Sequence, residues 1–278
     1  MSLLSYLPQG MQRAVQRRAR ARKYHGLWTE LLRRAARERI PAGSLSRVHL
    51  FLRSHYDKTL IPRADPLQNP ATGYFPGLRA RPLWQPSEIA WTALLEEAYP
   101  QIKAEYDNMT RSVELRPHPQ SDDETSWRVK YFYLLGEEQP EAQRLCPKTS
   151  AILKSCLPSG PSNQVFFSVL GKQAHIDPHC GAVNTRLTCH LGLTVTPDSA
   201  LRVGSNVVSW QDGKCLVFDD SFEHEVWNKS DRERVVLLIQ LWHPDLTEAE
   251  VWALKELRPL LATPGYKEAA LGGKRIGH

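Results

Sequence analysis

A chain of 278 residues, 41% apolar and 24% charged, is long enough for one sizeable core and has an ordinary globular composition, which excludes disordered, collagenous and disulfide-dense classes. No apolar run reaches the roughly 20 residues needed to cross a bilayer, and the start lacks the apolar stretch of a secretory signal, so a cytoplasmic location is expected. The formal charge of +6 is local: ten Lys/Arg against Glu30 and Glu38 up to Ile40 give that stretch about +8 and leave the remainder near −2.

Residues 1–60 read as a basic helical segment. From Gln12 to Ile40, Leu27, Trp28, Leu31, Leu32 and Ala35 recur at helical spacing and Pro41-Ala-Gly43 ends the run. A solvated charged face is the plain reading of its cations; an acidic partner or surface could also dock there, with nucleic acid disfavoured. The segment is Arg-rich and acid-poor like an organelle transit peptide, against which its few serines argue. Ser44 can cap a second helix through Val48, Phe51, Leu52 and Tyr56.

Residues 61–125 read as a Pro-rich connector and a covering helix, opened by Ser87 and Glu88, with Ile89, Leu94, Leu95, Ala98, Ile102 and Tyr106 on its apolar face. Residues 126–250 hold the β core: Trp127–Leu135 as the first strand, a short helix after Cys146, then VFFSVL, RLTCHLGLTV, LRVGSN, VVSW, KCLVF and VVLLIQLW between turns. Short strands at this spacing predict a mainly β fold, a double-stranded β-helix (jelly-roll or cupin-like) core with flanking N-terminal helices. Residues 251–278 read as a C-terminal helix and a loosely ordered tail. The five cysteines are odd in number and lack CxxC spacing, as expected of reduced thiols.

The chemistry concentrates between Phe166 and Trp242. Two imidazoles and a carboxylate can hold Fe(II) while leaving positions open for a chelating cosubstrate and O2. The pattern His-x-Asp with a distant second histidine is met by His175-Ile-Asp177 and His224, while His179 follows at once in Pro-His-Cys-Gly181 without a carboxylate two residues on. Both registers remain open on these residues alone.

The runs PHCGAVNTRLTCHLGL, FDDSFEHEVWN and LWHPDLT resemble the aspartyl/asparaginyl β-hydroxylase domain of the Fe(II)/2-oxoglutarate dioxygenases, over about Tyr74 to Thr247. The resemblance implies His179 and His224 as catalytic iron ligands, with Gly181 where other oxygenases carry the acid, and makes His175 and Asp177 neighbours. It implies Ser168, His190 and Arg234 as 2-oxoglutarate anchors. Family members carry an arginine two positions before the His190 equivalent; Thr188 stands there, so Arg186 and Thr188 become the substrate-facing candidates and recognition of an aspartyl carboxylate is put in doubt. Animal members acting on epidermal-growth-factor-like domains carry a membrane anchor and helical repeats that are not apparent here, so an amino acid, peptide or small molecule is the expected substrate. The implied activity is hydroxylation of an unactivated C–H bond with Fe(II), 2-oxoglutarate and O2. The alternatives are a halogenase using the open ligand position, a non-catalytic binding module, or a cupin-like hydrolase or isomerase using another divalent metal.

Overall fold

The structure is a computed structural model that describes residues 8–57, 59–121, 123–262 and 265–272. In chain order it contains α1 (Gln9–Arg37), α2 (Ser46–Ser54), β1 (Leu83–Trp84), α3 (Thr92–Glu97), α4 (Tyr99–Thr110), β2 (Arg116–Pro117), β3 (Trp127–Leu134), β4 (Glu137–Glu138), α5 (Pro140–Leu145), α6 (Pro147–Cys156), β5 (Val165–Leu170), β6 (His175–His179), β7 (Arg186–Thr194), β8 (Ser199–Val203), β9 (Asn206–Val208), β10 (Cys215–Phe218), β11 (His224–Asn228), β12 (Arg234–Trp242), α7 (Glu248–Leu261) and α8 (Tyr266–Gly272).

Two antiparallel sheets make the core. The larger runs β1-β10-β7-β12-β5-β3-β2, with β4 paired to β3, and the smaller runs β6-β11-β8-β9. Between them lies an apolar layer that includes Leu170, Leu201, Val203, Phe218, Val226 and Val236. The opposite face of the larger sheet, carrying Phe167, Leu187, Leu191, Leu237 and Ile239, packs under Leu95, Ile102, Tyr106 and Leu153 of α3, α4 and α6. Strands β5, β7 and β12 are therefore covered on both faces, which is why they read as nearly continuous apolar runs rather than as alternating ones. This is the expected double-stranded β-helix.

The expected single covering helix is broken. A 3-10 turn at Pro86–Glu88 precedes α3, and α4 starts at Tyr99 with Pro100 in its first turn. Proline lacks the amide that would continue α3, so the apolar face is delivered by two short helices. Helix α6 lacks a side-chain cap of its own, but Glu105 of α4 accepts from the Lys148 and Thr149 amides and from Thr149 Oγ1 at 2.7 to 2.9 Å. A carboxylate supplied across the helix pair thus neutralises the first-turn donors.

The tail departs from expectation. Instead of loose chain, α8 follows α7, with Ala269 and Ala270 buried, and Ala270 joins Val129, Tyr131, Leu134 and Phe166 in a small cluster. Two adjacent alanines let the helix approach the sheet closely, at little cost in side-chain entropy. Pro264 and residues 273–278 of the expected tail lie outside the described residues. At the other end, α1, α2 and α7 form a separate apolar cluster through Leu31, Ala35, Val48, Phe51, Leu52, Ala253 and Leu257.

Candidate active site

Strand periodicity sorts the site's side chains. On β7, Leu187, Cys189, Leu191 and Leu193 belong to the helix-covered face, so Arg186, Thr188 and His190 face the space between the sheets. Likewise, Val235, Leu237, Ile239 and Leu241 of β12 turn outward and leave Arg234 and Gln240 inside, while Phe167 and Val169 of β5 leave Ser168 inside. Register brings Ser168 opposite Val236, His190 opposite Leu238, and Thr188 opposite Gln240. Five expected site residues, Ser168, Arg186, Thr188, His190 and Arg234, therefore share one interior face.

The histidine pair comes from the smaller sheet. His179 on β6 is the register partner of His224 on β11, with ring centroids 4.2 Å apart. His179 Nδ1 lies 2.7 Å from the Asp177 carbonyl oxygen and His224 Nδ1 lies 2.9 Å from the Phe222 carbonyl oxygen. A carbonyl only accepts, so each Nδ1 carries the hydrogen and each Nε2 keeps its lone pair. Burial, aided by the neighbouring His179, pushes His224 down to about 4, so its imidazole is neutral near pH 7. An imidazole fixed through Nδ1, with Nε2 free to donate its lone pair, is the form a divalent metal takes. Neither β6 nor β11 was among the expected strands, because HIDPH and HEVWN lack a period-2 apolar pattern.

Asp220 was not anticipated. It is buried, with Oδ1 unpartnered, and Oδ2 accepts from Thr188 Oγ1 at 3.3 Å and Gln240 Nε2 at 3.4 Å. Arg186 Nε sits 3.5 Å from the same oxygen, close enough for charge attraction but without hydrogen-bond geometry. The Gly181 amide donates to the Asp220 carbonyl oxygen at 2.6 Å. The carboxylate also opposes the depression of His224, which places its charge within electrostatic reach of the pair. Its signal in the sequence, an acid four residues before His224 in FDDSFEH, reads as an ordinary polar turn. Among the described residues, no group of three or more His, Cys, Asp or Glu side chains has metal-holding geometry.

At the other end of the interior, Arg234 is 1% exposed, and its Nε and Nη1 have no hydrogen-bond partner. Its guanidinium lies over Trp210, 4.7 Å from the ring centroid, and burial pushes its pKa down to about 9. His190 Nδ1 accepts from Trp210 Nε1 at 3.1 Å, so its hydrogen lies on Nε2, which is buried and unpartnered. Ser168 Oγ accepts from Trp127 Nε1 at 3.0 Å, leaving its own hydrogen available. In Arg234, His190 and Ser168 the acceptors are thus already used by Trp210 and Trp127 while hydrogens remain undonated, and one of the three carries a charge. Such a set is costly unless an anion completes it, and a carboxylate fits.

His118 completes the surroundings. It stacks on Trp127 with centroids 3.5 Å apart, and burial together with His179 pushes it down to about 3. The structure does not bring His175 and Asp177 to the histidine pair. His175 Nε2 lies 2.8 Å from Glu225 and Nδ1 lies 3.3 Å from Asp177, in an exposed charged group that includes Arg202.

The family model described as aspartyl/asparaginyl beta-hydroxylase matches residues 96–244. A mouse protein named aspartyl/asparaginyl beta-hydroxylase is 32% identical over 180 residues, covering 62% of this chain and 24% of that protein. A Rhizobium tropici protein named ornithine lipid ester-linked acyl 2-hydroxylase is 34% identical over 200 residues, covering 67% of this chain and 69% of that protein. The match therefore spans about a quarter of the animal relative but more than two thirds of the bacterial one. A solved prolyl-4-hydroxylase from Pseudomonas putida aligns at 16% identity with a TM-score of 0.36, covering 55% of this chain and 98% of that chain.

Proposed function

The chain belongs to the aspartyl/asparaginyl beta-hydroxylase family, and from that premise we propose that it is an Fe(II)- and 2-oxoglutarate-dependent hydroxylase of an unactivated C–H bond. His179 and His224 would hold the metal through their Nε2 atoms, and Arg234, His190 and Ser168 would receive the cosubstrate's carboxylate. When bound, iron and 2-oxoglutarate supply oxidation of the C–H bond by O2, with succinate and CO2 as coproducts. The protein fixes both imidazoles through Nδ1, holds His224 neutral, and buries the Arg234 guanidinium with Nε and Nη1 unpartnered.

The observation that carries this reading is Arg234. A buried cation with unpartnered donors has no structural reason to lead a strand whose next five residues, Val235 to Ile239, are all aliphatic. A hydrolase or isomerase built on the two histidines would not require it.

The substrate proposed is a neutral C–H group, an acyl chain before an aspartyl side chain. Thr188 carries no charge and Arg186 is drawn to Asp220, so neither offers an uncompensated cation to a substrate carboxylate. The Rhizobium relative is named as an acyl hydroxylase, consistent with this reading. Halogenation is disfavoured by Asp220, whose carboxylate crowds Gly181 and would repel a halide held there.

The test is anaerobic addition of Fe(II) and 2-oxoglutarate to the purified protein, followed by its visible charge-transfer absorption, with His224→Ala as control. A band absent from the variant is expected. Folded protein that binds iron without a band would sink the proposal. Succinate release in the presence of acyl lipids, compared with Asp- and Asn-containing peptides, then sorts the substrate.

A further inference from the structure

We infer that the exposed half of α1 is a docking surface for an anionic lipid bilayer. Between Gln9 and Thr29 the sequence carries Arg13, Arg17, Arg18, Arg20, Arg22 and Lys23 and not one Asp or Glu. All six are exposed, and of these Arg17 is paired, with Asp57. The helix contacts the body through Leu31 and Ala35, its only buried residues among those described, with the Tyr24 ring tilted against His55, centroids 4.9 Å apart.

Helical spacing divides the faces. Tyr24, Leu31 and Ala35 fall on one side of the wheel, whereas Met11, Val15, Arg18 and Arg22, spaced by 4, 3 and 4, fall on the other. Met11 and Val15 are 57% and 41% exposed, among the few large apolar side chains that the described residues leave in solvent. An apolar pair beside a row of arginines is the composition of a helix that lies in a headgroup region, with aliphatic groups entering the acyl boundary and guanidinium groups reaching phosphates. A polyanion such as nucleic acid would use the arginines but gain nothing from Met11 and Val15, and this decides the choice of occupant.

The helix is also linked to the histidine pair. His55, which carries the Tyr24 contact, abuts Gly73, and the Ala71 and Thr72 amides donate to the Gly181 and Ala182 carbonyl oxygens at 2.9 Å. Docking through α1 therefore fixes the barrel relative to the bilayer through the loop that follows His179. The inference rests on α1 alone and stands whether or not the proposed chemistry does.

Sedimentation of the full chain with vesicles of phosphatidylcholine alone, or with about one third phosphatidylglycerol, tests it without any turnover. Binding is expected only with the anionic vesicles, and loss of binding at high salt. Each basic residue near an anionic bilayer contributes about a fivefold factor, so Arg18→Glu/Arg22→Glu, on the Met11 and Val15 face, should weaken partitioning at least roughly 25-fold. Met11→Ser/Val15→Ser should weaken vesicle binding while leaving retention on heparin unchanged. These sites are exposed, and circular dichroism is the check that the variants fold. No sedimentation with anionic vesicles, or sedimentation unchanged by the Arg18→Glu/Arg22→Glu substitution, overturns the proposal. Vesicle binding indifferent to Met11 and Val15 would reassign the surface to a general polyanion and also overturn it.

Discussion

A Cβ built on Gly181 would lie 2.5 Å from Asp220 Oδ1 and 3.0 Å from the Asp220 carbonyl oxygen. The glycine is therefore required by the close approach of an acid from the β10–β11 connection, and the space beside it is already taken. This predicts that Gly181→Asp will not create a third metal ligand. Two carboxylates would compete for one buried site, and the variant should lose about 2–4 kcal/mol of stability. Thermal unfolding and anaerobic iron titration check this; a Gly181→Asp protein with unchanged Tm and tighter iron binding would contradict it.

Arg234→Met is expected to raise the stability of the ligand-free protein while abolishing its response to 2-oxoglutarate. Methionine matches much of the arginine's length and removes an unpaired buried charge, a gain of about 1–3 kcal/mol. Wild-type protein should show a rise in Tm with 2-oxoglutarate, because the anion binds only the folded state. The variant should start higher and show no rise. A variant that melts lower than wild type would mean that Arg234 has a structural partner.

How much of this could be read from the sequence differs by residue. Arg234 was singled out by the family resemblance; by itself it would have read as a strand-edge charge. The β12 and β7 runs were clear as strands, though not their cover on both faces. The histidine strands were not, because HIDPH and HEVWN sit over a mouth and need no apolar alternation; their pairing comes from the neighbouring β8, through Val203 opposite His224 and Leu201 opposite Val226. Asp220 was hidden for a related reason: an acid in a turn reads as solvent-facing until Gly181, far earlier in sequence, is seen against it. The break between α3 and α4 was announced by Pro100, whose effect the continuous apolar face concealed. Helix α8 could not be inferred because what orders it is the Val129–Tyr131–Phe166 surface, far away in the chain.

Acid should destabilise the ligand-free protein through its buried histidines. His118 and His224 are pushed down to about 3 and about 4, mainly by burial, and His190 lies well below its ordinary value for the same reason. Each is neutral when folded and takes up a proton on unfolding once the pH falls below about 6.5. Their contribution is therefore fully present above pH 6.5 and is lost as pH falls toward the folded values. Each group adds a slope of about 1.4 kcal/mol per pH unit between pH 6 and 4. His118→Phe, which keeps a ring against Trp127, should remove about one proton's worth of that slope. Urea unfolding at several pH values measures it, and equal slopes in variant and wild type would show that His118 is not held neutral.

The C-terminal helix should stabilise the barrel from the side left open by the smaller sheet. That sheet has four strands against eight, and in place of further strands α8 sets Ala270 against Val129, Tyr131 and Phe166 while Gln164 Nε2 donates to Tyr266 Oη at 3.0 Å. Ending the chain at Ala262 would uncover those side chains, and Ala270→Glu would bury a charge against them. Both changes should cost about 2–4 kcal/mol, by exposed apolar area in one case and an unpaired carboxylate in the other. Because the His179–His224 pair is built from β6 and β11, iron binding by the folded fraction should be unchanged. Thermal unfolding together with anaerobic iron titration separates the two effects. Loss of iron binding in a variant of undiminished Tm would mean instead that α8 belongs to the site and not only to the core.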